Sequence, residues 1–198
     1  MKEVSTKSAT QQTFAIRADV KEYLTEFIPK LARECVQTRG AREELKGTKL
    51  NLILDISGGV YSYIIKDGIN INVKEGGIDH PNVRISFSLE DMSKIADMKN
   101  SDMLTGMQKQ LTRKKLDLLS ELTGTGVFQI KNPDDTISEI TAIFNNAATP
   151  KAILRLSMRD ASLIGRGSAS IFNLLVSGKI KIEGPITFVM KLHPLFAA

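Results

Sequence analysis

Between Leu50 and Ser88 the chain alternates between apolar and polar residues almost without interruption, which commits this stretch to sheet with one face buried. Leu50, Leu52, Leu54 and Ile56 alternate with Asn51, Ile53 and Asp55, and Ser57-Gly58-Gly59 makes the turn. Val60 to Lys66 is β-branched and aromatic, and Asp67-Gly68 is a strong hairpin signal. Ile69, Ile71 and Val73 form a third alternating set, and Val83, Ile85 and Phe87 a fourth beyond Pro81. The pattern predicts a four-stranded antiparallel meander, apolar on one face and polar on the other.

Helical segments flank this block. From Asp19, a candidate N-cap, the residues Val20, Tyr23, Leu24, Phe27, Ile28, Leu31, Ala32 and Cys35 follow helical spacing. Pro29 falls inside that pattern and should kink or divide the helix. Cys35 is placed on the buried stripe, which favours a structural thiol over a nucleophile. Residues 1–14 read as a flexible tail, and 15–198 as a single domain.

After a helical stretch running from Ser101 to Leu122, Gly124-Thr125-Gly126 reads as a turn. Val127–Lys131 and Thr136–Phe144 then flank Asn132-Pro133-Asp134-Asp135 as a hairpin. A strand around Ile153–Leu156, two further helices ending at Val176 and the alternating strand Lys179–Glu183 follow. On that strand Ile180 and Ile182 should face inward, and Lys179, Lys181 and Glu183 outward. Two passages repeat: Pro81, Ser88 and Asp91 correspond to Pro150, Ser157 and Asp160, each set being proline, strand, capping serine and capping acid. Duplication and convergent turn chemistry both account for this, with pseudo-repeats drawn at 45–110 and 126–192.

Few chemistries survive inspection. The single cysteine and two histidines, His80 and His193, stand in no metal-ligand spacing, so no metal site is expected. No phosphate-binding glycine loop and no nucleophile elbow occur, and no cofactor is implied. An acid–base pair would have to be Asp91 with His80, or Glu183 with Lys181, and capping and surface roles suit these residues better. Catalytic residues are therefore expected to be none. The net charge of +5 is spread in alternating blocks, and without tryptophan there is little for single-stranded nucleic acid to stack on. At most a weak attraction to acidic membrane surfaces is expected. No secretory apolar stretch occupies the first residues and no apolar run is long enough to span a bilayer, so a cytoplasmic location is expected.

Taken in order, several passages resemble the sterol carrier protein family. They are the leading helix, Tyr61-Ser62-Tyr63-Ile64-Ile65-Lys66-Asp67-Gly68, the run from Asp79-His80-Pro81 through Ser88-Leu89-Glu90-Asp91, Val176-Ser177-Gly178-Lys179-Ile180-Lys181-Ile182-Glu183-Gly184, and Phe188-Val189-Met190-Lys191-Leu192. Residues 107–150 stand outside the resemblance as an insertion or as part of a merged second copy. The resemblance implies an α+β fold, a curved and mainly antiparallel sheet covered on one face by helices, with an internal strand–helix repeat. It implies non-enzymatic carriage of a hydrophobic ligand such as a fatty acyl chain, phospholipid, sterol-like or quinone-like molecule in a tunnel between sheet and helices. The candidate walls are Met103, Leu104, Met107, Phe172, Leu174, Leu175, Ile180, Ile182, Phe188 and Met190, for each of which ordinary core packing is the competing reading. The alternative is a ligand-free interaction or dimerisation module on the same scaffold. The implied partners are a lipid or other apolar small molecule, with a second copy of the chain or an enzyme beside it.

Overall fold

The computed structural model describes residues 20–57, 59–91 and 111–196. The tail 1–14, the Asp19 cap and most of the expected helical run between Asp91 and Leu111 lie outside the described residues. Helical structure opens with a π-helical segment, Tyr23–Phe27, and continues as α1 (Ile28–Thr38), so the change of helix type falls at Ile28, one residue ahead of Pro29. Strands β1 (Lys49–Ile56), β2 (Gly59–Lys66), β3 (Asn70–Glu75) and β4 (Val83–Phe87) follow. Next come α2 (Arg113–Glu121), β5 (Gly124–Lys131), β6 (Ile137–Phe144) and β7 (Lys151–Ser157). The chain closes with α3 (Met158–Gly165), α4 (Ile171–Val176), β8 (Lys181–Glu183) and α5 (Ile186–Phe196).

All eight strands form one sheet in the order β3-β2-β1-β4-β6-β5-β7-β8. Most pairings are antiparallel, while β1–β4 and β5–β7 are parallel. The expected meander is thus corrected: β4 lies beside β1 on the side away from β2, not beside β3. Alternation is identical in parallel and antiparallel strands, so it could not distinguish the two. The chain reaches β4 by crossing the polar face, where Ser62 Oγ donates to the Gly76 carbonyl at 2.6 Å and Asn51 Nδ2 to the His80 carbonyl at 3.5 Å. Ile53 and Ser62, on the face being crossed, are buried.

The register carries one apolar row across six strands: Val73, Tyr63, Leu52, Val83, Phe144 and Gly124 are successive partners. Helices cover that face. Val36 of α1 and Leu116 of α2 pack with Ala41, Leu45 and Leu50 over the first half of the sheet. Residues of α3, α4 and α5 pack over the second half, and Leu119 of α2 touches both clusters. The opposite face carries a polar chain over β6, β5, β7 and β8, in which Gln129 binds Glu139 at 3.0 Å and Arg155 binds Gln129 at 2.9 Å and Glu183 at 2.8 Å.

Two further expectations change. Gly124-Thr125-Gly126 is not a turn but the buried opening of β5. A Cβ on Gly124 would lie 2.6 Å from both the Phe188 ring and the Pro150 carbonyl, so the glycine admits the α5 side chain onto the sheet. Cys35 is half-buried, and Val36 occupies the buried stripe instead. The π-helical segment, closed by Ile28 N–H to Tyr23 O, adds a residue to the turn and rotates all that follows. The buried positions accordingly run Leu24, Pro29, Val36, and Phe27 faces solvent.

The halves share a topology. In the first, the β1–β2 hairpin is followed by β4 parallel to β1, and Ser88 then caps a helical turn. In the second, the β5–β6 hairpin is followed by β7 parallel to β5, and Ser157 caps α3. The caps coincide in detail. Ser88 Oγ accepts from Asp91 N–H at 2.9 Å and donates to Asp91 Oδ2 at 2.6 Å. Ser157 Oγ accepts from Asp160 N–H at 3.1 Å and donates to Asp160 Oδ2 at 2.6 Å. Strand β3 has no counterpart in the second half.

Candidate functional site

The sequence expects a ligand space between the apolar sheet face and its helices, and the two halves of the sheet differ there. Over β5–β7, Phe188, Val189 and Leu192 of α5 join Leu174 and Ile171 of α4 in a closed core with Ala152, Leu154 and Ile130. Phe188 meets Phe144 edge-on, with ring centroids 6.5 Å apart, and Leu192 lies against Gly126. This region is filled by side chains.

Over β1–β3 the covering is less complete. A cavity of about 230 Å³ is lined by Val20, Ile56, Ser57, Gly59, Tyr61, Glu75 and Leu89. It sits where the first helical residues meet the end of the β1–β2 hairpin and the start of the Ser88-capped turn. Glu75 is ion-paired with Lys21 at its rim, and the ion pair raises the Lys21 ammonium above its ordinary pKa. Nearby, Tyr63 O–H donates to the Leu24 carbonyl at 2.7 Å, and burial pushes the phenol well above its ordinary value. A second hollow, about 470 Å³ and open to solvent, runs along β2 and β3. There the Arg33 guanidinium donates to the carbonyls of Ile69 and Ile71 at 3.2 and 3.1 Å, occupying bonding groups of the edge strand.

The expected wall residues separate into three groups. Leu174, Ile180 and Phe188 are buried together in the closed core, Ile182 packs against it, and Leu175 is half-buried. Phe172 and Met190 are exposed. Met103, Leu104 and Met107 lie outside the described residues. At β8 and just before it, Ile180 is buried and Ile182 half-buried, while Lys179, Lys181 and Glu183 are exposed.

The possible acid–base pairs do not assemble. His80 precedes β4 and Asp91 follows it, so they stand at opposite ends of the strand. Burial alone would raise the Asp91 carboxyl, but hydrogen bonds from Ser88, Ser138 and the Glu139 backbone outweigh it and hold its pKa below the ordinary value. Glu183 is engaged by Arg155. Among the described residues no cluster of three metal-ligating side chains occurs. Sequence reasoning missed Arg33 as an edge guard, and it missed Asn51, Asn82 and Asn145 as a linked set. The only local hint was Asn145-Asn146, whose side chains tolerate the left-handed backbone that both adopt.

These features define an α+β protein with a curved, mostly antiparallel sheet and one helix-covered face. Residues 104–197, just under half of the chain, match the SCP-2 sterol transfer family. Residues 107–150, read from sequence as an insertion or as part of a merged second copy, lie within the matched segment. The earlier passages, Tyr61–Gly68 and Asp79–Asp91, fall outside the match. The chain is also similar to several solved structures. Sterol Carrier Protein 2 from Yarrowia lipolytica in its apo form is 16% identical over 51% of this chain and 87% of that chain, with a TM-score of 0.33. The sterol carrier protein domain 2 of Helicoverpa armigera is 19% identical over 54% and 78%, with a TM-score of 0.33. A structure titled UbiJ-SCP2 Ubiquinone synthesis protein is 9% identical over 89% and 88%, with a TM-score of 0.31. No curated protein matches the chain significantly. No helix among the described residues is long and apolar enough to cross a membrane.

Proposed function

We propose that this protein is a non-enzymatic carrier of a hydrophobic ligand: a fatty acyl chain, a phospholipid, or a sterol- or quinone-like molecule. The observation that carries the reading is the SCP-2 sterol transfer family segment at residues 104–197. The ligand would lie between the apolar sheet face and α4–α5, with Leu174, Leu175, Ile180, Ile182 and Phe188 as walls. Because those side chains fill the space, α5 must part from β5–β7 as the ligand enters. Each methylene withdrawn from water contributes about 0.8 kcal/mol, so a long acyl chain supplies on the order of 10 kcal/mol against opening and association costs. No proton transfer or nucleophile is needed. The compartment consistent with this reading is the cytoplasm, and the recipient an enzyme or membrane that takes up the cargo.

The test is uptake of a fluorescent fatty acid together with solvent extraction and native mass spectrometry of the purified protein. A carrier binds the probe at micromolar concentration or tighter, with affinity rising along a series of chain lengths, and retains lipid through purification. A chain that takes up no acyl, sterol or quinone probe is not a carrier. The closed core over β5–β7 favours a second reading in that event, a ligand-free interaction module, for which native mass spectrometry would find a dimer or hetero-complex without lipid.

A further inference from the structure

We infer that β8 is a dimerisation edge, at which two copies of the chain pair antiparallel about a two-fold axis at Ile182. The inference concerns the rim of the sheet and holds whether or not the chain carries a ligand. The sheet ends in two edge strands, β3 and β8, and only one is guarded. On β3 the Arg33 guanidinium takes the Ile69 and Ile71 carbonyls, and the Lys21–Glu75 ion pair stands at the end of the strand. Among the described residues no side chain bonds to the backbone of β8. The register shows which of its groups are open. Thr125 N–H donates to the Pro150 carbonyl at 2.8 Å, so even-numbered residues of β7 turn their bonding groups to β5. Ile153 and Arg155 therefore turn theirs to Glu183 and Lys181, their partners on β8. Between those two residues, Ile182 directs its N–H and C=O to the outer edge.

Charge selects the occupant, because Lys181-Ile182-Glu183 is complementary to itself. With Ile182 opposite its own copy, the two residues exchange both backbone bonds, and Lys181 falls opposite the partner's Glu183 on each side of the axis. Lys181 is exposed and has no ion pair among the described residues. Arg155 Nη2 donates to Glu183 Oε2 at 2.8 Å, which leaves Oε1 for a second cation. Three residues supply few backbone bonds, so those bonds set the register and apolar burial must supply the affinity. Val176 closes α4 just ahead of β8 and is 72% exposed; Ile186 opens α5 just past it and is 52% exposed. Both adjoin the edge strand, and the two-fold sets the helix layers of the two copies on the same side of one continuous sheet. Pairing of β8 with β3 of another copy would run on as an open filament, and Arg33 obstructs it. Only the two-fold pairing closes.

The experiment is sedimentation equilibrium of the full chain over a concentration series, beside two charge variants. The wild type should be a dimer that dissociates on dilution. Lys181→Glu sets a carboxylate opposite the partner's Glu183, and Glu183→Lys sets ammonium groups opposite each other. Each variant alone should raise the dissociation constant on the order of tenfold. Mixed together, the two variants meet with opposite charges at both positions and should form a heterodimer, which native mass spectrometry detects with one of them isotope-labelled. Val176→Glu should also weaken the dimer. Lys181 and Glu183 lie on the sheet face away from the helices, so both charge variants should give the wild-type circular dichroism spectrum and take up any acyl probe that the wild type binds. A dimer that takes up no probe refutes carriage and leaves this pairing standing, and a monomer that takes up probe does the reverse. A wild type that stays monomeric at every concentration overturns the inference. So do charge variants that dimerise as tightly as the wild type, or a mixture of the two that forms no heterodimer.

Discussion

Asn145 and Asn82 hold each other at the seam between the two halves of the sheet: Asn145 N–H donates to the Asn82 carbonyl at 2.9 Å, and Asn82 Nδ2 donates to Asn145 Oδ1 at 3.4 Å. Each residue extends the connection. Asn82 exchanges bonds with Asn51, its N–H going to the Asn51 carbonyl at 2.8 Å and its Oδ1 accepting Asn51 N–H at 2.9 Å. Asn145 Nδ2 faces the carbonyls of Leu119, Ser120 and Leu122 at 3.0, 3.1 and 2.7 Å. Those are the groups that the end of α2 leaves without helical partners. One side chain thus fastens α2, the helix touching both core clusters, to the β4–β6 junction.

Replacement of Asn145 by glycine isolates this role, since glycine accepts the left-handed backbone at φ 48° and removes only the amide. Asn145→Gly should cost about 1–3 kcal/mol, the penalty for leaving partly buried carbonyls unsatisfied. Asn145→Ala should cost more, because it adds backbone strain. Urea denaturation of the three proteins measures both steps, and equal midpoints for wild type and glycine variant would show that the amide bonds contribute nothing.

The repeated caps make a paired prediction. Ser88→Ala and Ser157→Ala each remove an oxygen that accepts the Asp91 or Asp160 N–H, and each should lower stability by about 0.5–2 kcal/mol. The sites lie in different halves, so the double variant should lose close to the sum of the two. A silent Ser88→Ala beside a destabilising Ser157→Ala would mean that the coincident geometry hides unequal energetics.

The parts of this fold that were legible in sequence are those set by local chemistry. Alternation located β1 to β4, Asp67-Gly68 located a hairpin, and Ser-x-x-Asp located both caps. What escaped depended on neighbours distant in sequence. The position of β4 beside β1 follows from the crossover and its bonds to Asn51 and Ser62, which alternation does not encode. Gly124 and Gly126 read as turn residues because nothing nearby announces that Phe188 and Leu192 will lie against them. The site was less legible still. Over a helix as short as α4, apolar spacing does not separate Leu174, which is buried, from Phe172, which is not.

Acid should find a specific weakness at Asp91. Its folded pKa lies below the ordinary 3.8 because the bonds from Ser88, Ser138 and the Glu139 backbone outweigh burial. A group depressed by folding contributes stability that is present above its unfolded pKa and lost as pH falls through the folded value. Asp91→Asn should therefore be less stable than wild type at neutral pH, with the gap closing as pH drops through 3.8 and below. Urea midpoints followed down in pH give the comparison. A gap that does not change with pH would assign the loss to the altered hydrogen bonding of the side chain and not to its charge.

The approach of α5 to the sheet offers the sharpest test of packing. Gly124 has φ 131°, a backbone conformation that residues with a Cβ rarely adopt, and its missing side chain leaves the space that the Phe188 ring occupies. Gly124→Ala should therefore be destabilising through strain and overpacking together, by about 1–3 kcal/mol or more. Shortening the facing residue in the same protein, as Phe188→Leu, relieves the collision with the ring but leaves the backbone strain and the 2.6 Å approach to the Pro150 carbonyl. The double variant should recover part of the loss, so the pair is coupled in a double-mutant cycle. Strict additivity would mean that Phe188 does not rest on Gly124. If the carrier reading holds, the same cycle reports on entry: wherever Phe188 must lift from Gly124 to admit an acyl chain, Phe188→Leu alone should speed probe uptake while lowering the urea midpoint.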